Sequence, residues 1–214
     1  MTHDMRGLVQ RCFDQLYTNF AWAYDIVAMA ASLGEWQRWG QVALAFLPRD
    51  GRVLEIAHGP GHLHAVMRKE GYQAIGIDLS PQMSRLARQR TYRYGGVRLA
   101  RASALHLPFA DGAFAGAVST FPSSFIFAPQ TLAEAHRVLC AGGVFVVVPM
   151  ARLTGRGLPA SALRLAYRLT GQYADVGALG RRCFEAANFD FAQHTVVTPR
   201  AEVIVWVGSK PAVG

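Results

Sequence analysis

The fold is decided by the stretch Val53-Leu-Glu-Ile-Ala-His-Gly-Pro-Gly-His62, which is followed by Gly76-Ile-Asp-Leu-Ser-Pro81. Residues 53–57 are a short apolar run that predicts a buried parallel strand, and residues 62–70 predict a helix. The glycines between them let the backbone turn sharply against a ligand. A second predicted strand, residues 74–77, ends at Asp78, where a carboxylate can accept hydrogen bonds from both hydroxyls of a ribose. The pattern is therefore typical of a nucleoside-binding α/β protein.

Two features of this turn choose among nucleoside cofactors. His64 stands where a dinucleotide fingerprint requires its third glycine, and the turn lacks the Lys-Ser/Thr pair of a phosphate cradle. Glu55, just before the turn, would repel a pyrophosphate but attract the ammonium group of a methionine moiety. The combination favours S-adenosylmethionine over nicotinamide or flavin dinucleotides. The alternative is an ordinary strand-to-helix turn with nothing bound.

The composition indicates one domain of ordinary globular type. A chain of 214 residues is long enough to bury a sizeable core. Its three cysteines, Cys12, Cys140 and Cys183, are widely spaced without a Cys-x-x-Cys motif, which predicts free thiols in a reducing compartment. The first residues lack the apolar core of a signal peptide, and no apolar run has membrane-spanning length. We therefore expect a soluble, cytoplasmic protein.

The net charge of +8 comes almost entirely from arginine, because Lys69 and Lys210 are the only lysines. A basic balance permits nucleic acid, anionic lipid or acidic metabolites as partners. The arginines are spread along the chain and do not form one tract, which favours a solvated basic surface over a nucleic-acid groove.

Strand and helix signals alternate through the middle of the chain. Helical spacing from Trp36 to Leu47 precedes the first strand, and Ser80-Pro81 has the chemistry of a helix start. The further predicted elements are strands at 97–100, 114–119 and 144–148, and a helix marked by Leu132, Ala135 and Leu139 and closed by Gly142-Gly143. The alternation implies an α/β fold, a Rossmann-like, mostly parallel sheet with helices on both faces and ligands outside the carboxyl ends of its strands.

The C-terminal third departs from simple alternation. Residues 150–175 are an insertion with a helix at 161–169, in which Leu158, Ala162, Leu165 and Leu169 form an apolar stripe between arginines, and we interpret it as a lid. A helix at 177–187 and two strands, 189–197 and 201–207, follow and predict an antiparallel hairpin at the sheet edge. The predicted single domain thus comprises N-terminal helices closing the pocket (1–50), a cofactor-binding core (51–149), the lid (150–175) and a C-terminal helix and hairpin (176–214).

Several motifs in order resemble the class I S-adenosylmethionine-dependent methyltransferases, of the small-molecule type called methyltransferase type 11, from about residue 20 onward. The matching segments are Glu55-Ile-Ala-His-Gly-Pro-Gly61, Gly76-Ile-Asp-Leu-Ser-Pro-Gln-Met83, Leu107-Pro-Phe109 with Asp111-Gly112, and Arg137-Val-Leu-Cys-Ala-Gly-Gly143. The resemblance implies a seven-stranded, mostly parallel sheet whose last strand is inserted antiparallel. It also implies S-adenosylmethionine as cofactor and S-adenosylhomocysteine as product.

By position in these motifs, the resemblance implies a cofactor-binding set. Its members are Glu55, Ala57, His58, Gly59, Gly61, Asp78, Leu79, Met83, Ser103, Ala104, Leu105, Thr120 and Phe121. The methionine part would lie against Gly59 and Gly61 with its amino end at Glu55, the ribose at Asp78, and the adenine beside Leu79, Met83 and the Ala104 N–H. Two positions depart from the family pattern. Ala57 replaces a glycine and is tolerated only with negative φ, and Ser103 replaces an aspartate and accepts a hydrogen bond more weakly.

The expected chemistry is methyl transfer by in-line displacement, in which positioning and exclusion of water supply much of the rate. If the acceptor needs a general base, the candidates are His58, Tyr24 and residues 120–124. No metal is expected, because His62 and His64 point to different faces of a helix and no cysteine or carboxylate completes a set with them. Trp36, Trp39, Phe125 and Phe127 are expected in the core, and Phe121 at the active site.

A small-molecule acceptor is predicted because Ser119-Thr-Phe-Pro122 differs from the Asn/Asp-Pro-Pro-aromatic stretch of base N-methyltransferases. Three alternatives stay open: an RNA methyltransferase, a non-catalytic S-adenosylmethionine-binding module, and a dehydrogenase. The apolar stripe of the insertion has its own alternatives, a homodimer contact or contact with an anionic membrane surface.

Overall fold

The computed structural model describes residues 35–95, 98–154 and 176–212. The predicted helices before residue 35, Tyr24 and the lid helix at 161–169 lie outside the described residues. The described chain begins with the predicted helix, which runs as α1 over Trp36–Gln41 and continues as a 3-10 turn over Val42–Phe46.

Seven strands form one sheet in the order β3-β2-β1-β4-β5-β7-β6. The strands are β1 Arg52–Ile56, β2 Gln73–Asp78, β3 Leu99–Arg101, β4 Phe114–Thr120, β5 Leu139–Leu153, β6 Asp190–Val197 and β7 Ala201–Ser209. The pairs among β1 to β5 are parallel, and β7 lies antiparallel between β5 and β6. The predicted fold class, including the inserted antiparallel last strand, is confirmed.

Four further helices connect the strands and cover the two faces of the sheet. They are α2 His62–Lys69, α3 Pro81–Thr91, α4 Pro129–Val138 and α5 Val176–Ala186. Successive side chains of β5 alternate between two core clusters, Phe145 and Val147 in one and Val146 in the other. The first cluster includes side chains of α4 and α5, and the second includes side chains of α1 and α2. Burial on both faces explains why the strands read as continuous apolar runs.

The end of α4 differs from the prediction. The helix ends at Val138, and Leu139 already pairs with Phe114 in the sheet, so Gly142-Gly143 lies inside β5 and does not close the helix. A register shift between Phe114 and Gly116 accommodates this early start. Leu139 is buried whether it continues a helix or begins a strand, so its apolar character could not distinguish the two.

The far end of β5 also extends further than predicted. Residues 150–153, which were assigned to the insertion, pair with residues 201–204 of β7. Their hydrogen-bond partners are in β7, which is distant in sequence. The pattern of apolar residues within 144–148 therefore could not predict this extension of the strand. The third strand is likewise displaced, to Leu99–Arg101 from the predicted 97–100.

One side chain of α4 fastens the loop that leads into β4. The Arg137 Nε and Nη2 donate to the two carboxylate oxygens of Glu134 at 2.7 and 2.9 Å, and Nη1 donates to the Phe109 carbonyl and to Asp111 Oδ1 at 2.8 and 2.7 Å. Glu134 Oε2 also accepts from the Leu107 N–H at 2.6 Å. The hydrogen bonds from Arg137 lower the pKa of Glu134 below its usual value. The Leu-Pro-Phe and Asp-Gly motifs are therefore held by a bidentate ion pair.

We predict that Arg137→Ala lowers the free energy of unfolding by about 2–3 kcal/mol, because the loop carbonyls and Glu134 lose a charged donor. Arg137→Lys should recover only part of this loss, because an ammonium group cannot reproduce the planar fork. The contribution of Glu134 is present above its ordinary pKa of 4.5 and is lost as the pH falls through the lowered folded value. Urea unfolding at pH 7 and pH 3 measures both effects. A difference between wild type and Arg137→Ala that persists undiminished at pH 3 would contradict the ion-pair account.

Candidate functional site

A cleft opens at the carboxyl ends of β1 and β4, where the crossover rule for parallel sheets places ligands. Six members of the predicted cofactor-binding set line it, namely Glu55, Ala57, His58, Gly59, Thr120 and Phe121. Trp36, His62 and Phe125 also line it, together with Pro122 and Ser123. The structure thus brings the motif after β1 and the motif after β4 into one site.

Asp78 joins the end of β2 to the turn after β1. Its Oδ2 accepts from the Gly59 N–H and its Oδ1 accepts from the Ser80 N–H, both at 2.8 Å. The side chain is only 2% exposed, and burial raises the pKa of the Asp78 carboxyl although both backbone donors oppose the rise. The His58 N–H also donates to the Ile77 carbonyl at 3.0 Å, so the turn is tied to β2 at two points. We call this turn, residues 57–61, the elbow.

The elbow is built from left-handed backbone. Gly59 and Gly61 have φ of 54° and 79°, and Ala57 has φ of 57°. The expectation that an alanine is tolerated at 57 only with negative φ is therefore wrong: the elbow imposes the left-handed region on a side chain that disfavours it. Phe121, across the cleft, is a second non-glycine residue with positive φ, at 50°. Such strain collects at functional sites, where the surrounding contacts hold it.

Glu55 does not stand alone at the base of the cleft. Its Oε2 lies 2.9 Å from Nδ1 of His64, and the two side chains are 3% and 1% exposed. The sequence analysis treats His64 as the replacement of a glycine and as a rejected metal ligand, and it does not predict a contact with Glu55. The signal that could have revealed the pair was the placement of a histidine on the buried face of α2, beside Leu63 and Met67.

Gly61 allows close packing of two helices. It precedes α2, and a Cβ on it would lie 2.7 Å from the Ala87 Cβ and 2.9 Å from the Ala87 Cα. The bare backbone at 61 therefore lets α2 approach α3 closely, and Gly61 is not among the residues that line the cleft.

None of the predicted adenine-binding residues lines the cleft. Leu79 is 65% exposed, an unusual state for a leucine that directly follows a buried strand, whereas Met83 in α3 is fully buried. The Ala102 N–H donates to the Asp78 carbonyl at 3.2 Å, which brings the 103–105 segment towards the same strand end. The Ser103 hydroxyl accepts from the Leu105 N–H at 3.2 Å, so this predicted acceptor already has one donor. Ala104 and Leu105 are partly exposed.

Aromatic rings form the remaining wall of the cleft. The Trp36 ring meets the His62 ring edge-on at 5.1 Å and the Phe121 ring at 6.4 Å. Phe121 lines the cleft. Trp36 and Phe125, for which the sequence predicts core positions, are partly exposed and line the cleft as well. Trp39 is buried as expected.

His58, a candidate general base, is held against the elbow itself. Its Nδ1 lies 2.7 Å from the Gly59 carbonyl, and its ring is 5% exposed. Tyr24, the other candidate, lies outside the described residues. Among the described residues, no group of three His, Cys, Asp or Glu side chains is arranged to hold a metal ion. None of the helices in the described ranges has the length and apolar character that a membrane crossing requires.

The family model for the methyltransferase domain matches residues 54–147. Over this stretch the chain is similar to the methyltransferase domain family. The match covers β1 to β5, the elbow and Asp78, and it confirms the resemblance drawn from the ordered motifs.

Curated relatives of this chain include the demethylmenaquinone methyltransferases of Thermus thermophilus and Deinococcus radiodurans. The first is 36% identical over 140 residues, which are 62% of this chain and 63% of the relative. The second is 33% identical over 142 residues, which are 63% of this chain and 58% of the relative. The chain thus spans about three fifths of the length of these relatives.

Solved structures share the fold. A geranyl diphosphate C-methyltransferase from Streptomyces coelicolor, in complex with geranyl diphosphate and S-adenosyl-L-homocysteine, superposes with a TM-score of 0.59 at 12% identity, covering 81% of this chain and 77% of that one. A SAM-dependent methyltransferase from Methanosarcina mazei superposes with a TM-score of 0.59 at 18% identity, covering 80% and 98%. At these low identities, the TM-scores show a common fold and no more.

We predict that Ala57→Gly raises the free energy of unfolding by roughly 1 kcal/mol, because glycine relieves the left-handed strain at a small entropic cost. Ala133→Gly, on the exposed face of α4, is the matched control and should lower stability by about 1 kcal/mol through helix propensity alone. Urea or thermal unfolding of the three proteins measures the two changes. Loss of stability in both variants would mean that position 57 is unstrained.

Proposed function

We propose that this chain is an S-adenosylmethionine-dependent methyltransferase that transfers a methyl group to a small planar acceptor by in-line displacement. The proposal is based mainly on the buried Asp78 carboxylate, which accepts a hydrogen bond from the Gly59 N–H of the elbow. Glu55 lines the cleft next to which the elbow turns. Similarity to the methyltransferase domain family over residues 54–147 supports the proposal.

The residues present fit the proposed cofactor. Each Asp78 oxygen accepts one backbone N–H and keeps a second lone pair, so the carboxylate can also accept from the hydroxyls of a ribose. Leu79 offers an exposed apolar surface just beyond, suited to a base. Two carboxylates around the elbow disfavour a diphosphate, which argues against a dinucleotide.

The chain's own contribution would be positioning. When bound, S-adenosylmethionine supplies an electrophilic methyl group, and the protein has to orient an acceptor against it and keep water out. Glu55 would hold the amino end and Asp78 the ribose, while the left-handed elbow leaves Gly59 backbone bare in the cleft. His58 is placed to support the elbow more than to move a proton, because its ring is buried against the Gly59 carbonyl.

The aromatic wall supports a planar acceptor. Trp36, Phe121 and Phe125 line the same cleft as the elbow, and the Trp36 and Phe121 rings meet edge-on at 6.4 Å. The relatives named demethylmenaquinone methyltransferases make a quinone-type ring the first acceptor to test. A cytoplasmic location and a homodimer are further proposals from the sequence.

We predict that S-adenosylmethionine and S-adenosylhomocysteine give binding heat in calorimetry and that NADH gives none. Asp78→Asn should weaken both adenosyl ligands by roughly 100-fold, because charge-assisted hydrogen bonds to the ribose become weaker and one acceptor is lost. Asp190→Asn, an exposed aspartate at the start of β6, is the matched control and should leave affinity unchanged. Circular dichroism verifies that each variant is folded. NADH binding, or equal affinity of wild type and Asp78→Asn, would refute the proposed cofactor site.

A further inference from the structure

A buried acid–imidazole pair lies beneath the elbow. Glu55 lines the cleft, whereas His64 does not line it and contacts the Glu55 Oε2 through Nδ1 at 2.9 Å. Both side chains are almost fully buried. Within the described part of the chain, the second ring nitrogen of His64, Nε2, is buried and has no hydrogen-bond partner.

A glycine in β2 leaves room for the His64 imidazole. Gly76 of β2 pairs with Glu55 of β1, and a Cβ at position 76 would come within 3.1 Å of both the His64 Nδ1 and the His58 Cδ2. The two imidazole rings have their centroids 6.4 Å apart. A glycine at 76 therefore leaves the space in which His64 reaches Glu55.

The charged neighbours of His64 can be named element by element. Glu55 lies on β1, His58 in the elbow, and Asp78 at the end of β2, where it interacts electrostatically with both of them. From α3, Arg90 donates to the Pro60 carbonyl of the elbow. Arg68, one turn after His64 on α2, donates to the Tyr94 and Gly95 carbonyls and is engaged elsewhere. Among these charged groups, Glu55 is the one that is hydrogen-bonded to His64.

The protonation of His64 decides what charge Glu55 presents to the cleft. A neutral imidazole that donates from Nδ1 orients the carboxylate and leaves it its negative charge, available to a ligand ammonium group. A protonated imidazole cancels that charge and also places an N–H at Nε2, where no acceptor lies among the described residues. Glu55 can therefore bind a ligand ammonium group when the His64 ring is neutral, and it loses this ability when the ring is protonated.

We propose that His64 is a positioning residue for the cofactor's amino-acid end: it acts through Glu55 and has to be neutral for the ligand ammonium group to bind. The inference rests on the proposed function. It goes further, because it assigns the recognition of the amino-acid end to a two-residue unit and makes that recognition depend on the charge of His64.

The test compares two ligands that share the adenosine and the thioether but differ in the amino-acid end. S-adenosylhomocysteine carries the ammonium group and 5′-methylthioadenosine lacks it, so titration of Asp78 affects both alike. Calorimetry at pH 7 and pH 5 gives the ratio of their affinities. The ligand's own ammonium group and carboxylate stay charged across this range, because an α-amino group titrates above pH 7 and an α-carboxyl group below pH 5.

In the wild type, we expect the preference for S-adenosylhomocysteine over 5′-methylthioadenosine to fall roughly tenfold from pH 7 to pH 5, because histidine gains its charge there. His64→Asn, whose Nδ2 can replace the Nδ1 donor without titrating, should keep the preference at pH 5. Glu55→Gln should show a weak preference at both pH values. His58→Asn, which alters the neighbouring ring, should keep the pH dependence of the preference.

The outcomes separate this inference from the proposed function. If neither ligand binds, the proposed function fails. If both bind but the wild-type preference is the same at both pH values, or if His64→Asn retains the wild-type fall, the role of His64 is overturned. If His64→Asn does not fold, Glu55→Gln decides, because a fall that persists without the Glu55 charge also overturns it.

Discussion

The Asp78 carboxylate joins the ends of two neighbouring strands, and the site depends on this link. By accepting from the Gly59 and Ser80 N–H groups, it fixes the elbow after β1 and the start of α3 relative to each other. The parallel register that sets Ile56 beside Ile77 brings the elbow within reach. A buried carboxylate is costly unless it is hydrogen-bonded, and the elbow amide is one of the groups that satisfy it. Each of the two oxygens keeps a second lone pair.

Strain and burial are concentrated around this link. Left-handed backbone at Ala57 and Phe121 faces the cleft from two strand ends, and the Glu55–His64 pair lies buried beside it. The stability of the fold does not explain these features. A glycine at 57 would relieve backbone strain, and apolar residues at 55 and 64 would avoid burying a polar pair. They are explained if the cleft has to present a bare peptide turn and two acidic groups to a cationic nucleoside.

Much of the fold follows from local sequence. The alternation of apolar strands with helix starts such as Ser80-Pro81, where the Ser80 hydroxyl does accept from the Met83 N–H, predicted the parallel sheet. The short link between strands 189–197 and 201–207 predicted an antiparallel hairpin, whereas the insertion of the last strand between its neighbours came only from the family resemblance. The end of α4 could not be predicted, because Leu139 suits either structure and its strand state depends on pairing with Phe114. Local patterns report periodicity, whereas such boundaries are set by partners distant in sequence.

The site was predictable in its acidic groups and not in their partners. Asp78 and Glu55 are marked by their positions relative to the glycines, which the fold fixes. The pairing of Glu55 with His64 requires knowing that α2 turns this face onto β1 and that Gly76 leaves room for the ring. Trp36 could not be separated from Trp39 by helical spacing, because both lie on one apolar helix and only the cleft beside the first distinguishes them.

A crystal structure of the chain with S-adenosylhomocysteine at pH 7 tests the account most directly. The account predicts both ribose hydroxyls within hydrogen-bond distance of the Asp78 oxygens, about 2.5–3.0 Å, and the ligand amino group beside Glu55. It would be contradicted by an adenosyl group bound away from an empty elbow, or by a ligand diphosphate occupying the elbow.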